Sequence, residues 1–220
     1  MPKIKMPRSS PSLDMTPMVD LAFLLVTFFM LTSKFRANEP VVVDPPSSSS
    51  NILLPENVML ITIDTAGRVF FDLTGKDVRR KMLEAVSGKY KVNFTEQQYQ
   101  RFSVMGTFGM PVAALPNYIN AGEKERMKMD AGAPGIPIDS ANNELADWIM
   151  QGYGASERDL SAKGLEGKAL KERRIRYAIK ADGQTNYLKV RKVIDIFRER
   201  EIFQFNLITN LKGGPADLPK

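Results

Sequence analysis

Residues 15–33 read MTPMVDLAFLLVTFFMLTS, an apolar run of 19 residues in which Asp20 is the only charge. At about 1.5 Å of rise per residue, a helix of this length would extend roughly 28 Å, close to the hydrocarbon thickness of a bilayer. A carboxylate inside such a run is costly, so it normally pairs with a cation, faces a wet cavity or holds a proton. The stretch therefore predicts a transmembrane helix in which Asp20 has a function.

Thr16 and Pro17 mark the expected start of this helix. Thr is a favourable N-cap residue and Pro is favoured at the first helical position, which places Asp20 in or just after the first turn. Thr27 lies about two turns further along on the same face. Either this face turns toward protein or water, or Thr27 only bonds its own backbone, as threonines in membrane helices often do.

The composition excludes several kinds of chemistry. The 220 residues include no cysteine and no histidine, so disulfides, Cys/His metal sites and histidine-based catalysis are ruled out. No phosphate-binding glycine loop, paired carboxylates or nucleophile motif stands out, and we expect neither enzyme activity nor a cofactor or metal. The net charge is +6, but basic residues alternate with apolar ones, as in amphipathic elements, which argues against a nucleic-acid partner.

The flanks of the apolar run indicate an uncleaved anchor and its orientation. A cleaved signal peptide is the alternative, but Asp20 interrupts the start of the apolar stretch and no small-residue cleavage site follows it. Basic residues are more numerous before the run than after it, which favours a cytoplasmic tail over 1–14. The basic residues on the two flanks are Lys3, Lys5, Arg8, Lys34 and Arg36.

Residues 34–55 are predicted to be a flexible linker. Pro45-Pro46 and the serine run 47–50 are typical of extended, mobile chain. The linker also contains a short β-prone patch, made of Val41, Val42 and Val43. Its overall composition favours a disordered tether.

Residues 56–212 are predicted to fold as a small α+β domain, followed by a tail over 213–220. Strand, turn and helix occur twice, and a closing strand follows, which implies helices on one face of a sheet. The expected strands are 58–63, 69–71, 175–181 and 203–211, the last with Phe203, Phe205, Leu207 and Thr209 on one face; the expected helices are 76–86 and one that begins at Tyr187.

The segment 87–171 is interpreted as a long insertion of unknown role. Helices are expected over 95–105 and 141–152, and Trp148 is expected in a small packing cluster. A short sheet leaves edge strands that can pair with a second copy or with a strand from a partner. The alternative is that the insertion covers an edge.

The stretch 13–25, LDMTPMVDLAFLL, resembles the N-terminal signature of the ExbD/TolR biopolymer-transport proteins. In that family a T-P-x-x-D motif opens a single membrane helix, and its aspartate is the proton-pathway residue. The resemblance implies this role for Asp20, with Thr16 and Pro17 as matching motif positions and Thr27 as a further supporting polar residue. The resemblance covers residues 13–36, 56–86 and 172–212, and the segment 87–171 does not fit the usual compact pattern.

The same resemblance implies a single-pass protein of the bacterial inner membrane with a periplasmic C-terminal domain. Its expected partners are a polytopic ExbB-like protein that forms a pentameric pore, a TonB-like protein and a second copy of the chain. The implied function is a proton-motive-force-coupled motor subunit for active transport across the outer membrane, such as iron uptake. A linker segment docks on the folded domain at rest in this family, which makes Val41, Val42 and Val43 a candidate linker switch.

Two alternatives to this function remain at this point. A TolR-like subunit of a TolQ-TolR-TolA envelope-integrity motor would carry the same signature. A passive membrane-anchored periplasmic binding module would use Asp20 only to pair with a cation of a partner.

Overall fold

The computed structural model describes residues 15–32, 40–48, 57–139, 142–208 and 210–211. The chain divides into two compact units, Met1–Ala37 and Asn38–Lys220. The predicted tails over 1–14 and 213–220 lie outside the described residues.

Among the described residues of the first unit there is one helix, α1, over Thr16–Thr32. It begins one residue earlier than predicted, because the N–H of Val19 donates to the carbonyl of Met15 over 3.0 Å, closing the first helical turn. Its 17 residues extend about 26 Å. Among the described residues, no helix is both long and apolar enough to cross a membrane.

The second unit is built around a four-stranded mixed sheet with the order β3-β2-β4-β5. Strand β2 pairs antiparallel with β3 and parallel with β4, and β4 pairs parallel with β5. A second, two-stranded ladder pairs β1 with β6 in parallel. The strands are β1 Ser47–Ser48, β2 Val58–Ile63, β3 Val69–Leu73, β4 Arg176–Ala181, β5 Phe205–Ile208 and β6 Asn210–Leu211.

Seven further helices complete this unit in the described part of the chain. They are α2 Lys76–Tyr90, α3 Glu96–Val104, α4 Leu115–Asn120, α5 Glu123–Gly132, α6 Glu144–Ala162, α7 Gly167–Arg173 and α8 Tyr187–Glu199, with a 3₁₀ turn over Val112–Ala114. The structure is α+β, and the predicted strands over 58–63 and 175–181 and the predicted helix start at Tyr187 are confirmed to within a residue.

Helix α6 runs ten residues beyond the end predicted for it, which was residue 152. Glycine disfavours helix interiors, and Gly152 and Gly154 by themselves favour an end in this region. Packing reverses this expectation. A Cβ at position 152 would lie 2.8 Å from Cε of Met59 and 3.2 Å from Sδ of Met82, so glycine lets α6 approach both the sheet and α2 closely.

The segment 87–171 belongs to the central core of the domain. Trp148, Phe102 and Phe108 come from this segment, Phe71 comes from β3, and all four are fully buried. The ring of Phe108 lies 5.0 Å from that of Trp148 and 5.8 Å from that of Phe71, measured between ring centroids. The expected packing cluster around Trp148 is therefore part of one aromatic core shared with the sheet, and aromatic pairs at these distances stabilise it beyond their burial.

The final strand differs from the continuous strand predicted over 203–211. The structure has β5 and β6 instead, with Thr209 outside the described residues. The predicted apolar face is only partly used: Phe205 stacks on Phe197 of α8 at 5.7 Å, whereas Phe203 and Leu207 are 73% and 59% exposed. The alternation thus predicted strand structure in this segment but neither its bounds nor its burial, because packing against α8 decides which of its side chains are covered.

Candidate functional site

Asp20 lies in the second turn of α1 with an exposed side chain. Together with Thr16, Pro17, Val19 and Phe23 it lines a shallow concavity on the helix surface. The motif residues Thr16 and Pro17 are thus brought next to the carboxylate, as the spacing predicted. The helix holds no other charge, so this concavity is the only place on α1 where a proton or a cation would meet a carboxylate.

Thr27 makes local backbone contacts. Its hydroxyl lies 3.0 Å from the carbonyl oxygen of Phe23 and 2.9 Å from that of Leu24, and donates to these carbonyls of the preceding turn. This is the behaviour expected of a threonine that only bonds its own helix. A supporting role for Thr27 beside Asp20 stays a prediction.

The large apolar side chains of α1 are exposed. No residue of the helix is buried, and the large side chains along it, from Met15 to Leu31, are more than half exposed. A continuous apolar surface of this kind is rarely left in water and marks a contact with lipid or with another protein.

The linker valines differ in how they meet the folded domain. Val43 is 6% exposed and Val42 is 91% exposed, while Val41 is half-buried. The segment next to them is held by backbone bonds: the N–H of Asp44 donates to Oδ2 of Asp182 over 2.9 Å, and the N–H of Gly183 donates to the carbonyl of Asp44 over 2.9 Å. Part of the predicted tether is thus docked on the domain.

Asp182 is the centre of this contact, and the sequence reasoning did not select it. Its carboxylate accepts the N–H of Gln184 and that of Asp44, and these two backbone donors hold the pKa of Asp182 below its usual range. In the sequence, the Asp182-Gly183 pair indicates only a turn between the strand 175–181 and the helix that begins at Tyr187. An aspartate in such a turn commonly accepts the backbone N–H two residues later, so the bond from Gln184 could be expected from the sequence. The second donor, the N–H of Asp44, is 138 residues away in the chain and could not.

A short strand ladder continues the docking of the linker. Ser47 pairs with Asn210 and Ser48 with Leu211, in parallel. The β structure therefore lies a few residues after the valine patch, in the serine run that composition assigned to flexible chain. The role of Val41, Val42 and Val43 as a switch stays a prediction.

One edge of the main sheet is closed by the 87–171 segment. Phe71 and Phe108 exchange both backbone hydrogen bonds, at 2.8 and 3.0 Å, and the N–H of Ile136 donates to the carbonyl of Val69 over 2.9 Å. This arrangement agrees with the alternative in which the insertion covers an edge. At the opposite edge, no strand of the described residues pairs with the outer side of β5.

An apolar N-terminal helix with one carboxylate, followed by a mixed-sheet α+β domain, is the organisation of a biopolymer-transport subunit. The chain belongs to the ExbD/TolR family: the family model described as biopolymer transport protein ExbD/TolR matches residues 6–212. The match spans the 87–171 segment as well as the parts that carry the sequence resemblance. Comparisons with curated proteins and with solved structures return no match.

Membership of this family has coarse functional consequences. Its members are membrane-anchored, work with polytopic membrane proteins in a transport complex and take part in energy transduction for biopolymer transport.

Proposed function

We propose that this protein is a proton-motive-force-coupled motor subunit of the inner membrane that, with an ExbB-like proton-channel partner, energises a TonB-like protein for active transport across the outer membrane. The observation that carries the proposal is Asp20, the single charge on a helix whose large apolar side chains are exposed. An aspartate in such a setting exchanges protons when the surrounding protein gives it alternating access to water.

In this proposal α1 spans the membrane once, with a cytoplasmic N-terminus and a periplasmic C-terminal domain. A pore formed by the polytopic partner surrounds the helix and covers its apolar side chains. Proton binding and release at Asp20 changes the charge inside that pore and drives the motion. No covalent chemistry and no cofactor are involved.

The linker contact supplies a resting state for the motor. Val43, Pro45 and backbone hydrogen bonds take part in holding the 40–48 segment on the domain. A short docked segment of this kind can be released without unfolding the domain when the partner engages. The valine patch would then act through Val43, the most buried of the three valines.

The free edge of the sheet is the proposed point of contact with other chains. The outer side of β5, with Leu207 59% exposed, can accept a strand from a second copy of the chain or from the TonB-like partner. The opposite edge is unsuited to this, since Phe108 already pairs with β3.

The proposal is tested by measuring TonB-dependent uptake in cells that carry Asp20→Asn at matched membrane levels. Asparagine keeps the size and polarity of the side chain but cannot carry a proton, so uptake should collapse while assembly with the ExbB-like partner persists. Asp14→Asn, which removes a carboxylate just outside the apolar run, is the matched control and should leave uptake near wild type. Unchanged uptake in Asp20→Asn would contradict the proton role.

Asp20→Glu separates proton coupling from a passive anchor. A carboxylate that only pairs with a cation should tolerate the longer side chain, whereas a proton site of fixed spacing should lose most of its activity. Co-purification with a TolA-like protein in place of a TonB-like one would assign the motor to envelope integrity instead of uptake.

A further inference from the structure

A cavity of about 130 Å³ lies where the start of α2 faces the second half of α6. Its walls include Lys76 and Asp77 from α2, Ser156 from α6, Lys163 directly after α6, and Arg173 from the end of α7. The space would hold about four water molecules, and thus one group of the size of a phosphate. None of these residues belongs to the proton site or to the linker contact.

The start of α2 presents unused backbone donors to this cavity. The residue that precedes the helix, Gly75, has no side chain to cap it, and the first helical bond is donated by Arg79 to the carbonyl of Gly75. The N–H groups of Lys76, Asp77 and Val78 have no acceptor among the described residues. Such N–H groups, aligned with the positive end of the helix dipole, are suited to bind an anion.

Ser156 gives an independent indication of a ligand. This residue is only 6% exposed, lines the cavity, and has no side-chain hydrogen bond within the part of the chain that the structure describes. The hydroxyl is not one of the fully enclosed polar atoms without a partner, so it keeps some accessible surface, and Ser156 lines the cavity. A buried hydroxyl normally has a hydrogen-bond partner, and a group bound in the cavity can supply one.

The charges around the cavity favour an anion. Asp159 is neutralised on both sides, by Lys81 at 2.9 Å and by Lys163 at 2.6 Å. Burial alone would raise the pKa of Asp159, but the hydrogen bonds from Lys163 and Lys81 outweigh burial and hold this pKa below its usual range. Lys76 and Arg173, by contrast, make no ion pair with a described carboxylate, which leaves two cations against the single carboxylate of Asp77.

We propose that this cavity binds a phosphate group through the N–H groups at the start of α2, the hydroxyl of Ser156 and the side chains of Lys76 and Arg173. The Ser156 hydroxyl and the backbone N–H groups can donate hydrogen bonds to several oxygens of the phosphate at once. The side chains of Lys76 and Arg173 balance the negative charge of the phosphate. A phosphate held there would join α2, α6 and α7, and would therefore stabilise the packing of the helical segment on the sheet.

The test is a titration of the full-length protein in detergent with inorganic phosphate, followed by ³¹P NMR line broadening and by the shift in Tm at constant ionic strength. Ser156→Ala removes one neutral donor without changing charge and is expected to weaken binding about tenfold, as the loss of a hydrogen bond to a charged group does. Arg173→Gln should weaken binding by a similar factor. Lys171→Gln, an exposed cation on the same helix and outside the cavity, is the matched control and should bind phosphate like wild type.

Asp77→Asn provides a test with the opposite sign. Removing the one unneutralised carboxylate of the cavity should tighten phosphate binding severalfold. Equal binding by wild type, Ser156→Ala, Arg173→Gln and Asp77→Asn would overturn the proposal, as would the absence of broadening in wild type. Because ³¹P broadening is measured on whatever folded protein is present, a variant with a lowered Tm still gives a result.

Two further additions identify the source of the phosphate group. Competition by glycerol 3-phosphate in solution would indicate a free phosphate ester. Competition only by vesicles of phosphatidylglycerol would indicate a lipid headgroup. If acetate displaced inorganic phosphate as strongly as a phosphate ester does, the site would be a general carboxylate site and the proposal of a phosphate site would be overturned.

Discussion

The β3 edge of the sheet is covered by buried aromatic residues of the 87–171 segment, whereas the chain beyond β5 meets the linker through a two-residue ladder and a few backbone bonds. The first closure shares the central core of the domain and cannot open without unfolding it. The second rests on backbone bonds and on the burial of Val43 and Pro45. We therefore expect one permanently closed side of the domain and one side whose contacts can be exchanged.

The largest expected effect comes from the permanent closure. Phe108→Ala removes a fully buried ring that packs against Phe71, Phe102 and Trp148, and should lower the free energy of unfolding by about 3–5 kcal/mol. Phe203→Ala, at a 73% exposed position beside β5, should change it by less than about 0.5 kcal/mol. Chemical denaturation measures both, and similar losses would show that the two sides do not differ.

A smaller loss is expected from Gly109→Ala, next to the residue that closes β3. A Cβ at this position would overlap the ring of Phe70, which is fully buried, so overpacking should cost about 1–3 kcal/mol. Gly88→Ala is the matched control. Gly88 lies within α2, and a Cβ added there would meet no atom within 4 Å. The control should be neutral or stabilising, and a stabilising Gly109→Ala would contradict the tight approach.

The exchangeable side is tested with the two neighbouring linker valines. Val43→Ser should raise the rate of proteolytic cleavage in the linker about tenfold, because burial of a valine side chain contributes roughly 1.5 kcal/mol to docking. Val42→Ser changes the same side chain at a 91% exposed position and should leave the rate near wild type. Addition of the ExbB-like partner should then reduce the difference between wild type and Val43→Ser; a persistent difference would argue against release.

The smallest expected effect is a pH dependence of the packing of α6 on α2. The folded-state pKa of Asp159 lies below its unfolded value of about 3.9, so its ion pairs stabilise the fold above that value and are lost as the pH falls through the folded-state pKa. In Asp159→Asn, the free energy of unfolding should therefore fall less between neutral and acidic pH than it does in wild type. The difference should be on the order of 1 kcal/mol, because both lysines are partly exposed and solvent weakens their ion pairs.

Thermal unfolding between pH 7 and pH 3 measures the effect. Asp195→Asn removes an exposed carboxylate that is paired at 3.6 and 3.9 Å, and should leave the pH profile of wild type unchanged. An identical profile for wild type and Asp159→Asn would contradict the assignment.

Local patterns in the sequence predicted the elements whose formation depends on near neighbours. Alternating and continuous apolar residues placed β2 and β4 correctly, and Thr95 with Gln98 forms a capping box that starts α3 one residue inside the predicted helix. The spacing of Thr16, Pro17 and Asp20 on one helix was also available from the sequence, because a helix fixes which residues share a face.

Long-range contacts were not available in this way. The pairing of Phe108 with Phe71 and of Asp44 with Asp182 joins residues far apart in the chain, and no local period encodes such a pairing. The continuation of α6 through Gly152 likewise depends on Met59 and Met82, which demand a residue without a side chain at that point.

The sequence by itself determined the character of the apolar helix and the position of its one carboxylate, since both follow from composition and from the fixed rise of a helix. It also determined the main strands and helices of the α+β domain. The tertiary structure decided which sheet edge is closed, which linker valine is buried and which polar groups meet around the cavity between α2 and α6. These features depend on which surfaces pack together, because burial and exposure are properties of the whole fold and not of any one segment.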